Sequence, residues 1–245
     1  MTEAGGVPPS GFSDRYAALA SRRAAREPLA YIIGQREFWN LTFEVSPAVL
    51  IPRPETELIV EAALERFGDR DARLSIADVC TGSGCLAVAL AHERPQAGIV
   101  ATDLSAEALD VARRNADRHG VDQRIRFVHT DLFQNIGERF DLIVSNPPYV
   151  LGRDRAGLPP EVRDHEPAIA LFAGDDGLMV IRRLIDQAAA HLKENGVVMF
   201  EFGYGQDVEI EQLVARAPGL TMVGLKRDLQ GIARTAIATR VQVQD

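Results

Sequence analysis

From residue 74 onward, short apolar runs alternate with helical patterns, and this alternation constrains the fold more than any other feature of the chain. LSIADVC (74–80), GIVATD (98–103), RIRFVHT (124–130), FDLIVSN (140–146) and GVVMFEFG (196–203) read as strands. Helical patterns lie between the first three, at 85–93 and 106–119, and a long one at 177–193 precedes the fifth. In that long one, Leu178, Ile181, Leu184, Ile185, Ala188 and Leu192 form an i, i+3, i+4, i+7 stripe, and Gly196 is expected to stop it. Strands alternating with helices imply βαβ units, hence a parallel sheet covered on both faces. After a helix near 205–216, strands at about 220–226 and 233–240 are joined too closely for a parallel crossover, so they pair antiparallel. The expected fold is α/β, an open and mostly parallel sheet with one antiparallel strand.

The first fifty residues read differently. Residues 1–12 are rich in Gly and Pro and are expected to be disordered. Ser13 is expected to cap a helix through about Arg26, with Tyr16, Leu19 and Ala20 on one face. That stripe is too small to fold alone and must pack on the main domain or on a partner. REFWN-LTFEV (36–45) reads as two short strands around a turn at Asn40. IPRPETE (51–57) carries two prolines and reads as a stiff entry into a helix at about 55–67. The expected division is a disordered 1–12, a helix and hairpin over 13–50, and the main domain over 51–245.

Composition narrows the function classes. A chain of 245 residues with 46% hydrophobic and 25% charged residues is ordinary for a globular protein. With a formal charge of −8, it gains no general electrostatic help in binding a polyanion, which speaks against a nucleic-acid substrate. No apolar run approaches the ~20 residues that span a bilayer. MTEAGGVPPSGF lacks the basic start and apolar stretch of a secretory signal. Cys80 and Cys85 flank a Gly-rich turn at a spacing unlike a zinc or redox pair, so they read as packing residues of a reduced, cytosolic protein. The five histidines are scattered without ligand spacing, and no metal is assigned.

Two constellations carry chemistry. In ADVCTGSGCLA (77–87) a strand ends, a Gly-rich turn follows and a helix begins. Gly82 and Gly84 let the backbone approach a ligand, and the helix start offers N–H groups to an anion. Asp103 closes the next strand, where a carboxylate can accept both hydroxyls of an adenosine ribose. GSGCLA also fits the dinucleotide fingerprint, so this segment alone leaves NAD and S-adenosylmethionine open.

SNPPY (145–149) decides between them, because it follows the fourth strand at the same carboxyl edge. An amide or aromatic amine nitrogen is a poor nucleophile, since its lone pair is delocalised into the adjacent π system. The Asn146 side-chain oxygen and the Pro147 carbonyl can each take one N–H of an –NH2 group and aim that lone pair at a sulfonium. Pro147 and Pro148 supply no competing N–H and keep the turn stiff. Tyr149 can pack on the flat acceptor. No strong general base is required, and most of the catalysis would be orientation.

DVCTGSG, TDLS and SNPPY, in that order, resemble the class I methyltransferases of amino nitrogens. REFWNLTFEVSPAVLIPRPETELIV (36–60), LPPEVRDHEPAIAL, GDDGL, FEFG and RDLQGIAR are similar to the peptide chain release factor glutamine methyltransferases, over roughly residues 13–240. The resemblance implies a Rossmann-like domain with a seven-stranded sheet and S-adenosylmethionine as cofactor. It further implies a protein glutamine as acceptor, that of the GGQ tripeptide in class I release factors. It places the methionine part of the cofactor on Cys80, Thr81, Gly82, Ser83 and Gly84, the ribose on Asp103, and the adenine beside Asp131 and Leu132. Asn146, Pro147, Pro148 and Tyr149 bind the glutamine amide, with Arg53 and Thr56 lining the same pocket. The implied partner is the release factor, with no membrane and no direct nucleic acid, for a cytoplasmic monomer. The family carries a larger N-terminal helical domain that helps to hold the release factor, and only its last helix is expected here. VCTGSGC and the region around HEP also resemble the enzymes that methylate a glutamine of ribosomal protein L3. An N6-adenine-type nucleic-acid enzyme is the other alternative.

Overall fold

The structure, a computed structural model, describes residues 11–241. The chain opens with helix α1 (Phe12–Ala24) and a short α2 (Leu29–Ile33), then strands β1 (Gln35–Phe38) and β2 (Leu41–Glu44). Helix α3 (Glu57–Arg66) leads into β3 (Ser75–Val79), α4 (Cys85–Glu93), β4 (Gly98–Asp103), α5 (Ala106–Arg118) and β5 (Ile125–His129). There follow β6 (Phe140–Ser145), α6 (Pro160–His165), α7 (Met179–His191), β7 (Leu192–Glu201), α8 (Asp207–Arg216), β8 (Leu220–Arg227) and β9 (Ala233–Arg240).

Seven strands form one sheet in the order β5-β4-β3-β6-β7-β9-β8, in which only β9 runs against the direction of the other six. This is the expected mostly parallel sheet. Alternate residues of each central strand feed different cores. Leu142 and Val144 pack with α3, α4 and the hairpin, whereas Ile143 packs with α7 and α8. Burial on both faces explains why β6 and β7 read as unbroken apolar runs. The strand order turns back between β3 and β6. In an open α/β sheet that switch point, at the carboxyl ends, is where ligands bind.

The α7 stripe is buried as expected, but Gly196 does not stop the helix. Helix α7 ends at His191, and Leu192 already pairs with Phe140. Phe140 opposes Leu192 while Leu142 opposes Val197, so the added residues of β7 form a bulge. A Cβ on Gly196 would lie 2.9 Å from the Phe140 and Lys193 carbonyl oxygens, so the glycine serves close approach within that bulge.

The N-terminal expectations are adjusted too. Residues 1–10 of the segment expected to be disordered lie outside the described residues. Helix α1 starts at Phe12, after Gly11 at φ 76°, so Ser13 lies inside it rather than capping it. Phe12, Tyr16 and Leu19 stay exposed instead of packing on the domain. Arg23 and Arg26 tie the helix to Glu161 of α6, each at 3.1 Å. The hairpin turns at Trp39 (φ 51°) and Asn40 (φ 56°), two successive left-handed residues as in a type I′ turn. Phe38 and Phe43 stand side by side in the main core. Buried Asn115 of α5 pins the hairpin: its Oδ1 accepts the Glu44 N–H (2.7 Å), and its Nδ2 donates to the carbonyls of Glu44 (3.0 Å) and Ser83 (2.9 Å).

Candidate active site

The loop between β3 and α4 is bent by its residue types. Cys80 (φ 61°), Gly82 (φ 55°) and Gly84 (φ 80°) are left-handed, and the conformation is strained for cysteine. No atom lies within 4 Å of where a Gly82 Cβ would stand, so open space meets the backbone there. At Gly84 a Cβ would fall 3.0 Å from the Ala112 Cβ, so this glycine lets α4 approach α5. Beneath the loop, fully buried Asp78 accepts the Thr81 hydroxyl (2.5 Å) and the Ala87 N–H (3.0 Å) through Oδ2. One amide at the start of α4 therefore belongs to the chain's own carboxylate rather than to a ligand. Burial pushes the Asp78 carboxyl up to about 7, with the hydrogen bonds from Thr81 and Ala87 opposing.

Asp103 ends β4 and ties two loops together. Its Oδ2 accepts the Gly82 N–H and its Oδ1 the Ser105 N–H, both at 2.9 Å. Burial raises its carboxyl above the usual range, against those same hydrogen bonds. After β5, Leu132 is left-handed at φ 51°, and Asp131 pairs with Arg183 of α7 at 2.8 Å.

The Asn-Pro-Pro-Tyr turn leaves β6 beside the end of β3. Ser145 is in register with Val79, and its hydroxyl donates to the Val79 carbonyl at 2.6 Å. Asn146 Nδ2 donates to Thr56 Oγ1 (3.0 Å), which donates to Glu201 Oε2 (2.6 Å); Tyr149 Oη donates to Glu201 Oε1 (2.9 Å). Asn146 Oδ1 is buried and meets no donor among the described residues. Burial raises the Glu201 carboxyl, opposed by hydrogen bonds from Thr56 and Tyr149. The adjacent Glu201 charge and burial hold the Tyr149 hydroxyl well above its ordinary range, so it remains a donor.

One cleft gathers most of the expected residues. Its wall includes Thr56, Cys80, Thr81, Gly82 and Ser83 from one side of the switch point. Asp103, Asp131, Leu132, Asn146 and Pro148 complete it, with half-exposed Leu104, Ile169 and Met179. Gly84, Pro147 and Tyr149 stand behind that wall, Tyr149 turning its hydroxyl inward to Glu201. Arg53 stands outside it as well: it pairs at 2.6 Å with buried Glu166, whose other oxygen accepts the Ile51 N–H at 3.2 Å.

The charge pattern tests which cofactor fits. Asp103 and Asp131 lie on the wall, Asp78 and Glu201 behind it, and wall residue Arg183 is already paired with Asp131. Such a site opposes a pyrophosphate and suits S-adenosylmethionine, whose sulfonium and ammonium outweigh its one carboxylate. The unpartnered Asn146 oxygen gives the same cleft an acceptor for an N–H donor.

Several contributing residues carry no local motif. Glu201, Glu166 and Asn115 are buried polar groups that act on residues far away in sequence. Glu201 alone left a trace, as a carboxylate closing the apolar run VVMF at the carboxyl edge of a strand.

Comparison with known proteins agrees with this geometry. The family model of the methyltransferase small domain matches residues 56–158. The release factor glutamine methyltransferase of Bradyrhizobium diazoefficiens is 45% identical over 231 residues, covering 94% of this chain and 78% of its own. That of Geobacter sulfurreducens is 45% identical over 217 residues, covering 88% and 74%. Among solved structures, the ribosomal protein L11 methylase of Lactobacillus delbrueckii subsp. bulgaricus superposes with a TM-score of 0.57 at 27% identity, covering 78% of this chain and 81% of its own. With the sheet order, the Gly loop and the Asn-Pro-Pro-Tyr turn all in place, the chain belongs to the release factor glutamine methyltransferase family.

Proposed function

We propose that this chain transfers the methyl group of S-adenosylmethionine to the side-chain amide nitrogen of a protein glutamine, that of the GGQ tripeptide in class I peptide chain release factors. The observation that carries the reading is the unpartnered carbonyl oxygen of Asn146, a residue of the wall of a cleft suited to a cationic cofactor.

The residues divide the work. Cys80 to Gly84 hold the methionine part of the cofactor, the Asp103 carboxylate accepts the ribose hydroxyls, and Asp131 and Leu132 border the adenine. Bound there, the cofactor supplies an electrophilic methyl group on a sulfonium. Asn146 Oδ1 and the Pro147 carbonyl each accept one N–H of the glutamine amide, which localises the nitrogen lone pair and aims it into the cleft. Pro147 and Pro148 keep the turn rigid, and Tyr149 anchors its far end through Glu201. Thr56 holds Asn146 from behind. Arg53, through Glu166, fastens the entry segment to the stretch that follows the turn.

The partner is then a class I release factor, with residues 13–50 as a helix-and-hairpin appendage to the domain of 51–245. No helix among the described residues is long and apolar enough to cross a membrane. Both cysteines are free, which suits a reducing compartment such as the cytoplasm.

The test is transfer of label from S-adenosylmethionine to a purified class I release factor, beside the same factor with its GGQ glutamine replaced by alanine. Label confined to the unaltered factor is expected. Equal label on both would refute the assigned acceptor.

A further inference from the structure

The orientation of the Asn146 amide is not left to chance. A threonine hydroxyl owns one proton, and an ionised carboxylate owns none. Thr56 Oγ1 lies 2.6 Å from Glu201 Oε2 in a buried site, and the other Glu201 oxygen takes the Tyr149 hydroxyl, so with Glu201 ionised the Thr56 proton points at it. What remains on Thr56 Oγ1 is lone pair, so only the –NH2 end of Asn146 can lie against it, as it does at 3.0 Å. The carbonyl end is thereby turned away and left without a donor. The reverse orientation would set two acceptors face to face where no water can separate them. The second oxygen of Glu201 takes the Tyr149 hydroxyl at 2.9 Å, so one carboxylate braces both ends of the Asn-Pro-Pro-Tyr turn.

We infer that Glu201 is a positioning residue: through the single proton of Thr56 it dictates that Asn146 presents its oxygen, not its –NH2, to the glutamine amide. The inference rests on the reading that Asn146 receives that amide. It also explains why a buried acid is kept at the end of β7, where an apolar residue would avoid the cost of burying charge. With glutamine at 201, the side chain can donate instead of accept. Thr56 is then free to donate to Asn146, and the amide can turn around, offering donors where the substrate also has donors.

The test combines kinetics with a direct reading of the amide. Thr56→Val and Glu201→Gln should each lower kcat roughly 100-fold, the scale of a misaligned reacting group. Cofactor affinity by calorimetry should stay within about threefold. Thr56→Ser keeps the hydroxyl and should restore most of the lost rate. In the parent, nuclear Overhauser contacts should join the Asn146 side-chain –NH2 protons to the Thr56 side chain, and Glu201→Gln should abolish them. A folded Thr56→Val with the parental kcat overturns the inference, as does a Thr56→Ser as slow as Thr56→Val. So does a parent in which the Asn146 –NH2 protons lie away from Thr56. The spectrum decides orientation whatever the acceptor is, so a parent that fails to methylate the release factor counts against the proposed function alone.

Discussion

Replacing Asp103 by asparagine separates the loop-tying duty that its carboxylate performs from the ribose-binding duty proposed for it. Each oxygen accepts one backbone N–H at 2.9 Å, from Gly82 and from Ser105. An amide has one oxygen, so whichever way it turns, one of these N–H groups faces an –NH2. Losing a hydrogen bond to a charged group costs about 1.5–3 kcal/mol. Part of that is offset, because burial already holds the carboxyl above its usual range and a neutral amide recovers some desolvation. Taking a net loss of about 1–2 kcal/mol, with about 2–4 °C per kcal/mol for a chain of this size, the melting temperature should fall by roughly 2–8 °C. The effect on the cofactor is larger. Hydrogen bonds to a charged acceptor are about twice as strong as neutral ones, so two ribose hydroxyls should lose about 2–3 kcal/mol together. That corresponds to a rise of about 30- to 140-fold in Kd for S-adenosylmethionine, read by titration calorimetry. If Kd stays within threefold while the melting temperature falls as stated, Asp103 serves the loop and not the ribose, and the ribose assignment is wrong.

Three further perturbations follow from the same geometry. Gly84→Ala places a Cβ 3.0 Å from the Ala112 Cβ on a backbone at φ 80°, so thermal or urea unfolding should show a loss of at least about 1–2 kcal/mol from the left-handed conformation alone. Arg53→Ala strands the buried Glu166 carboxylate and should cost about 3–5 kcal/mol in urea unfolding, while the added change Glu166→Gln should recover much of it. Asp78 titrates near 7 in the fold against an ordinary value of 3.8, so the fold binds its proton more tightly than the unfolded chain does. That contribution to stability is complete below the ordinary value and is lost as pH rises from about 4 to about 7, amounting to at most about 4 kcal/mol. Asp78→Asn should flatten the pH dependence of unfolding over that interval, and an unchanged slope would assign it to other groups.

The parts of this molecule that were legible in the sequence are those set by local periodicity. The α7 stripe, the two-sided apolar strands and the Gly-rich turn each declare themselves within twenty residues, because repeat and turn chemistry are local properties. The Asn-Pro-Pro-Tyr turn was legible for the same reason. Gly196 misled, because a glycine after a helical stripe reads as a stop, while its cause is a bulge imposed by β6, some fifty residues earlier. The α1 stripe was legible only in part: amphipathicity says that a face needs cover, not where the cover is, and this face finds none on the domain. Glu201 is the instructive miss. It lies 145 residues from Thr56 and 52 from Tyr149, and nothing in its own neighbourhood says that a hydroxyl and a phenol will meet there. Asn115 is of the same kind, a polar residue on an amphipathic helix whose meaning appears only once the hairpin and the Gly loop close over it.

The buried carboxylates around the cleft pose a question, since the proposed reaction ends with a proton leaving the methylated nitrogen. Glu201 and Asp103, which border the reacting groups, are the candidates for a base, yet the occupancy of their oxygens argues otherwise. Both oxygens of Glu201 hold donors, from Thr56 and Tyr149, and both of Asp103 hold backbone N–H groups. A carboxylate so engaged would have to give up part of its own anchoring to accept a proton, and the turn and loop it braces would loosen at the moment of reaction. None is needed, because an amide nitrogen that has gained a methyl group and a positive charge is a strong acid and can lose its proton to water. What the reaction lacks beforehand is a lone pair pointed at the methyl group. The chain supplies acceptors in fixed positions, braced from behind by groups that can move only by losing buried hydrogen bonds. Orientation of this kind can account for about 7–11 kcal/mol of a barrier. Glu201 therefore acts as a strut for the turn and Asp103 as a tie between two loops, which is why a site that handles an amide can be rich in acids and still work without a base.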